Sequence, residues 1–412
     1  MWFFSKYKKI FLIIGFILII FILGYLLYAI FFKQPEAQPI SQKPIATGTP
    51  AGLPVAKKGT GAIVVPSGTS VGLPTEQTIP VQTNPTAQGG LTQTNQLNKT
   101  PSIAAVLASN GSDLQYYDQA DGKFYSITKD GQIALLTDKI FNQVEKITWS
   151  PKKNKAILEY PDGANIIYDF TNKKQITLPA HWKDFDFSSD GSSLVMKSIG
   201  LDPDNRWLAI ANEDGSKAQR LEALGDKDET VYPLWSPNSQ IAAMYTEGTD
   251  FNRQEVYFVG LHGENFKSMT IEGRGFQPKW SPSGNRLLYS VYSSDNDLKP
   301  MLWIDNASGD NIGNSRQMLN IETWADKCVF ANEIDLYCAV PEKLEKGAGL
   351  FQEMAKNTKD NLYKIDTRTG LKKIIATTEN AYNMSNLIIS TDNSNLYFTD
   401  ETTKALYKIN LK

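Results

Sequence analysis

Beyond residue 101 the apolar positions alternate with polar ones over runs of five or six residues, the period of strands with two unlike faces. A phrase such as PKWSPSGNRLLYS, Pro278 to Ser290, places an aromatic residue, a Ser-Pro turn with glycine and an apolar run one after another. Versions of it begin at Leu107, Thr148, Asp186, Leu234, Lys279, Val329 and Ile388, with Trp149, Phe187, Trp235 and Trp280 holding the aromatic position. With the serine or its equivalent as marker, the copies are 41, 38, 48, 45, 50 and 59 residues apart. A second series recurs inside each unit: KFYSIT from Lys123, NIIYDF from Asn165, RWLAIA from Arg206, EVYFVG from Glu255, PMLWID from Pro300, NLYKID from Asn361 and ALYKIN from Ala405. Periods near 40 to 50 residues with about four short strands each predict propeller blades. The expected fold is all-β, a seven-bladed β-propeller over 102–412, with a six-bladed ring as the alternative.

A fourth strand follows in six units, as in QIALLT from Gln132, but the seventh runs out at Lys412. An unpaired sheet edge invites aggregation. A segment before Ser102, within GGLTQTNQLNKT or the earlier AIVV at 62–65, is therefore expected to supply the last outer strand.

The first hundred residues follow another pattern. From Ile10 to Phe32 there are 23 uncharged residues, about 34 Å of helix at about 1.5 Å per residue, enough to span a bilayer core. A cleaved signal peptide is the rival reading, but Tyr25, Tyr28, Phe31 and Phe32 crowd the end where small residues belong. Lys6, Lys8 and Lys9 precede the run, so residues 1–9 are expected in the cytoplasm and all that follows residue 33 outside it. The segment 33–101 holds ten prolines with much Thr, Gln and Gly, the composition of a flexible linker. Its GTSVG, 68–72, satisfies the hydrolase pattern G-x-S-x-G, but prolines 66 and 74 replace the strand and helix that pattern requires.

Charge narrows the function classes. Residues 1–101 hold eight basic and two acidic residues, leaving 34 basic and 42 acidic beyond. An acidic propeller argues against general nucleic-acid binding.

The WSP(x)G and FSSDG phrases followed by an apolar strand resemble the TolB-like propeller repeat, found also in tricorn protease and in prolyl oligopeptidase relatives. The resemblance covers 102–412 and implies a propeller; units one, six and seven are degenerate. The small domain that precedes the TolB blades, and the hydrolase domain of the peptidases, have no counterpart here, so neither partner nor activity carries over.

Candidate chemistry is sparse. Cys328 and Cys338, the two cysteines, flank VFANEIDLY; a hairpin centred on Glu333 sets them opposite each other, as a disulfide or as two buried thiols. His181, ahead of Trp182 and Asp184, reads as a structural hydrogen-bonding residue, and His262 as a solvated turn residue. The acidic stretches LDPDNR (from Leu201) and SSDNDLK (from Ser293) lack the calcium-loop pattern and read as hairpin turns. No catalytic residue, cofactor or metal is expected. The longest excursion, 341–361 in the sixth unit, is rich in helix formers and is expected to project from one face of the ring as a short helix, with Leu350, Phe351 and Met354 as the expected partner contact. The pattern thus points to a noncatalytic, membrane-anchored cell-envelope protein, facing the periplasm or cell exterior, that binds another envelope protein or a wall polymer. The alternative is a glycan-binding or glycan-processing propeller with acidic residues at the channel mouth. Four N-x-[ST] sequons, at Asn98, Asn110, Asn306 and Asn383, leave a glycosylated ectodomain open.

Overall fold

The computed structural model describes residues 82–412, together with 18–19 and 21–25. The chain divides into two units, Met1–Gln77 and Thr78–Lys412, and the second is built of seven sheets. Each sheet is one blade. In blade 5 the strands Arg274–Trp280, Arg286–Tyr292, Pro300–Asn306 and Gln317–Met318 pair antiparallel in sequence order. The first strands of the other blades, in order from blade 1, are Ser102–Leu107, Lys146–Trp149, Trp182–Phe187, Val231–Pro233, Cys328–Phe330 and Met384–Ile389. The first strands of blades 6, 7, 1, 2, 3 and 4 contact one another in turn, while that of blade 5 meets the 325–327 turn ahead of blade 6. The chain is a seven-bladed propeller, which removes the six-bladed alternative.

The repeated phrase now has a mechanical meaning. Its serine hydroxyl accepts the backbone N–H five residues on, closing the turn between first and second strands: Lys155 N to Ser150 (3.3 Å), Ser193 N to Ser188 (2.9 Å), Ile241 N to Ser236 (2.9 Å), Arg286 N to Ser281 (3.2 Å) and Asn395 N to Ser390 (3.0 Å). Gly284 takes φ +72° in this turn and lies against the Asn238 backbone in the turn of the preceding blade, a place with no room for a Cβ. The tryptophan binds one blade to the one before it: Trp149 Nε1 donates to Ala104 O at 2.8 Å and Trp280 Nε1 to Leu234 O at 3.2 Å. Trp235, equally buried, has no such acceptor.

Seven apolar clusters occupy the junctions between neighbouring blades, for instance Phe276, Trp280 and Tyr289 of blade 5 against Met244, Phe258 and Met269 of blade 4. Each fully buried Leu or Phe there contributes about 1.5–3 kcal/mol. Stability is therefore collective around the ring.

Closure comes from the N-terminal side. Asn95–Gln96 pairs antiparallel with Leu406–Asn410 as the outer strand of blade 7. The stretch GGLTQTNQLNKT thus supplies the missing strand; AIVV and GTSVG lie outside the described residues. Leu91–Thr92 does something the pattern did not announce, lying parallel to Lys372–Thr378 as a fifth strand of blade 6. Asn98 then locks the junction, its Oδ1 accepting Leu406 N at 2.7 Å and its Nδ2 donating to Ser102 Oγ at 3.1 Å.

Two expectations need correction. The excursion in blade 6 is not an α-helix: only Gln352–Ala355 winds, as a 3₁₀ turn, because Gly347 at φ +86° and its neighbour Gly349 turn the chain against blade 5. The His181 side chain is exposed and makes no hydrogen bond among the described residues, since the bulged strand behind it turns Asp184 toward lysines instead. Of the sequons, Asn98 and Asn383 are buried and hydrogen-bonded, closed to a glycan in the folded ring. Among the described residues no helix is long and apolar enough to cross a membrane; the expected span over 10–32 lies outside them apart from 18–19 and 21–25.

Candidate binding face

Because strands within a blade run antiparallel, connections alternate between the two ends of the ring. First-to-second and third-to-fourth connections emerge at one end. Second-to-third connections and the passages to the next blade emerge at the other, which is the end with relief.

A cavity of about 760 Å³ lies among the first strands, where Tyr232, Trp235, Lys279 and Trp280 line it together with Asp326 and Glu401 from the end with relief. Burial lowers the pKa of Lys279, whose ammonium donates to the Cys328 carbonyl. Asp186 sits in the channel wall, where burial pushes its carboxyl up to about 6, although Trp235 N (2.7 Å) and Phe187 N (2.9 Å) both donate to it. A raised folded pKa means stability is greatest where the group is protonated. The contribution of Asp186, on the order of 2 kcal/mol, is complete below about pH 4 and lost as pH rises through about 6. Urea midpoints compared between pH 4.5 and 7.5 should show that loss in the native chain and not in Asp186→Asn; parallel pH profiles would refute it.

Between blades 2 and 3 opens a cleft of about 870 Å³, reached by Tyr160, His181 and Arg206. Its floor is an ion-pair chain. Asp184, at φ +52° beside a register shift in its strand, lies 2.9 Å from Lys146 of blade 2 and 2.9 Å from Lys197 of its own blade. Burial opposes its charge, but the two lysines win and draw the carboxyl down to about 2. Glu159 shifts the other way: burial raises it, with Lys146 3.8 Å away and Asp184 N donating at 3.2 Å as partial compensation. Two acids pushed apart suit acid–base chemistry. Here, however, Asp184 is bridged by lysines on both sides, which makes the chain a structural tie between blades. Among the described residues no group of three or more His, Cys, Asp or Glu is arranged to hold a metal ion.

The third feature is the blade 6 excursion, 342–359. Leu344, Ala348 and Ala355 bury themselves against Trp324. Gly347 N donates to Asp297 O and Gly349 N to Leu298 O, both at 2.8 Å, which fastens it to blade 5. Asn383 Nδ2 fastens its far end to blade 7 by donating to Ala355 O (3.0 Å) and Lys356 O (2.9 Å). Leu350, Phe351 and Met354 remain exposed, Phe351 at 65 %. A Cβ on Gly349 would meet Tyr292 Cβ at 2.5 Å and Leu298 O at 2.7 Å. Gly349→Ala is expected to lift the excursion, raising amide exchange over 347–356 at least tenfold while the global melt moves by only a few degrees. Unchanged exchange would show that these fastenings do not hold it.

Below the excursion, Cys328 and Cys338 are register partners across the first two strands of blade 6, with Cα atoms 4.1 Å apart and their sulfurs joined in a disulfide. His262 is exposed in its turn, its backbone N–H donating to Glu264 at 2.7 Å. Sequence reasoning passed over Leu201 and Phe251, which are 102 % and 68 % exposed on the same end. The available signal was a large apolar residue beside an aspartate within a turn.

No protein-family model matches the chain, and no curated protein matches it. Solved structures do. The β-propeller domain of Myceliophteria thermophila Cps50 (Swd1) superposes with a TM-score of 0.52 at 11 % identity, over 77 % of this chain and 100 % of that one. An oligogalacturonate lyase in complex with manganese gives 0.51 at 14 %, over 77 % and 93 %. A prolyl endopeptidase gives 0.52 at 12 %, over 77 % and 49 %. At such identity the likeness establishes the propeller alone.

Proposed function

We propose that this protein is a noncatalytic binding scaffold: a TolB-like propeller held outside the cytoplasm by the apolar run at 10–32, engaging an envelope protein or wall polymer through the end that carries the excursion. The observation behind this reading is the excursion itself, where Leu350, Phe351 and Met354 stand exposed on a segment fastened to blades 5 and 7. Loops on a rigid scaffold carry binding because their ordering entropy is spent on folding. The Cys328–Cys338 disulfide agrees with an oxidising compartment.

The test is proximity labelling from the propeller in native cells, with the unaltered chain and with Leu350, Phe351 and Met354 all changed to Ser. One set of envelope neighbours should be labelled by the first and lost from the second. Identical labelling by both would sink the reading. A second reading, glycan binding in the cleft between blades 2 and 3, draws on its volume and on the half-buried Tyr160 and exposed His181 that line it; saccharide-dependent stabilisation abolished by Tyr160→Ala would favour it.

A further inference from the structure

Lys327, Asp360 and Asn383 meet where blade 6 joins blade 7, and each comes from a different stretch of chain. Lys327 ends the 3₁₀ turn Ala325–Lys327 ahead of blade 6, Asp360 begins the third strand of that blade, and Asn383 stands just before the first strand of blade 7. The three residues are 4 %, 0 % and 6 % exposed. A single nitrogen, Lys327 Nζ, lies 2.7 Å from Asp360 Oδ2 and 2.6 Å from Asn383 Oδ1.

Asn383 is held so that it cannot turn away. Asp360 grips the residues on both sides of it, its N–H donating to Tyr382 O at 2.9 Å and its Oδ2 accepting Met384 N at 2.6 Å. The Nδ2 of Asn383 donates to Ala355 O and Lys356 O, which leaves the carbonyl side of the amide to the lysine. Asp360 Oδ1 is buried and has no hydrogen-bond partner among the described residues. A bare oxygen is a cost to a purely structural ion pair, whereas a proton relay has a use for it.

We propose that Lys327 and Asn383 condense into an amide bond that ties blade 6 to blade 7, with Asp360 moving the protons. The ion pair is the unreacted state of this junction. A proton passes from the Lys327 ammonium to Asp360, leaving a neutral amine and a neutral acid, the forms that burial favours. The amine then attacks Asn383 Cγ. A bond forms between Nζ and Cγ, the bond between Cγ and Nδ2 breaks, and Nδ2 leaves as ammonia with a proton that Asp360 relays from Nζ. Asp360 ends as the neutral acid, and no oxidant or further reactant is consumed. Amide exchange of this kind is slow between free molecules; contact among three fixed groups makes it unimolecular. A cavity of about 350 Å³ lined by Lys327, Asn383, Ala355 and Lys356 gives ammonia a way out. Lys139 also donates to an amide oxygen, that of Gln175, but both side chains are exposed and no carboxylate pairs with the lysine among the described residues, so no bond forms there. Lys327 and Asn383 are 56 residues apart, so the new bond closes blade 6, with its excursion and its disulfide, into one covalent loop. Nothing in this step depends on what the ring binds.

The test is chemical cleavage of the full chain purified in detergent micelles. Cyanogen bromide cuts after methionine, and Met318, Met354 and Met384 bracket the reacting residues. Fragment 319–354 holds Lys327 and both cysteines, and fragment 355–384 holds Asn383, so after reduction the disulfide cannot join them. The two fragments should nevertheless stay joined under denaturing conditions, weigh one ammonia less than their sum, and show in tandem mass spectra a branch between residues 327 and 383. Asp360→Asn, which keeps the shape of the side chain and removes the relay, should abolish the joining, as should Asn383→Ala. The reading on the native chain needs no variant and stands even where a variant fails to fold. Native fragments that separate at full mass, or a branch mapped to other residues, would overturn the proposal. Joined fragments from the Asp360→Asn chain would overturn the part assigned to Asp360.

Discussion

A chain beginning at residue 99 is expected to lose the cooperative melt that a chain beginning at residue 82 retains. The residues between them include Leu91–Thr92 on blade 6 and Asn95–Gln96 on blade 7, the strands that cover both outer edges. Their removal exposes two sheet edges and deprives the buried Leu406 N–H of Asn98 Oδ1. An unsatisfied buried donor alone costs about 1–3 kcal/mol, so Asn98→Ala should cost about that much. Full removal also strips the Leu97 N to Leu406 O bond (2.8 Å), the Ala87 N to Asn410 O bond (2.8 Å) and the cover over Thr378, which is wholly buried. The sum is on the order of 5 kcal/mol or more, comparable with the entire stability of many domains. Circular dichroism melts of the two chains decide it. Coincident transitions would mean that the ring holds itself closed through the blade junctions alone.

The second large effect is expected at Lys327. Its ammonium lies 2.7 Å from Asp360, with both side chains almost fully buried, and donates to Asn383 Oδ1 at 2.6 Å. Burial raises the Asp360 pKa against the pull of Lys327, and Asp360 also accepts Met384 N at 2.6 Å. Lys327→Met removes the cation and leaves an unpaired carboxylate in the junction of blades 6 and 7, a change that costs about 3–5 kcal/mol in comparable settings. The loss should depend on pH in a definite sense. Without Lys327 the Asp360 pKa climbs further, so the carboxyl is neutral and tolerated at pH 5 but must be ionised while buried, or take up a proton, at pH 7.5. The variant should therefore lie closer to the native chain at pH 5 than at pH 7.5, and adding Asp360→Asn should recover part of the loss at pH 7.5. A cost that is flat across this range would show that the ion pair matters through packing rather than charge.

Much of the architecture can be read from particular residues. Trp149, Trp235 and Trp280, with the serine that follows each, mark the end of a first strand because the same turn must be closed in every blade. The blade count and the Cys328–Cys338 opposition follow from that periodicity and from a hairpin centred on Glu333. What the chain conceals is whatever depends on pairs brought together only by the ring. Leu91–Thr92 is too short for any periodicity to reveal. The excursion at 342–359 has helical composition, yet its form is set by where Tyr292 and Leu298 of another blade leave room for glycine. Leu350, Phe351 and Met354 are visible as an apolar group, while Lys327, Asp360 and Asn383 lie in three separate stretches and gain meaning only where the ring brings them together.

The pairing of Leu91–Thr92 and Asn95–Gln96 with two different blades has a mechanical consequence. Any tension reaching the propeller through residue 82 passes from single bonds at Pro85, Ala87 and Gly89 to these two short pairings. The load path runs through the ring's own fastener. At Leu91–Thr92 the bonded strands are parallel, so a pull along the chain loads the bonds side by side in shear, while a sideways pull peels them one at a time at far lower force. The direction of traction, not merely its size, would then govern whether the ring stays shut.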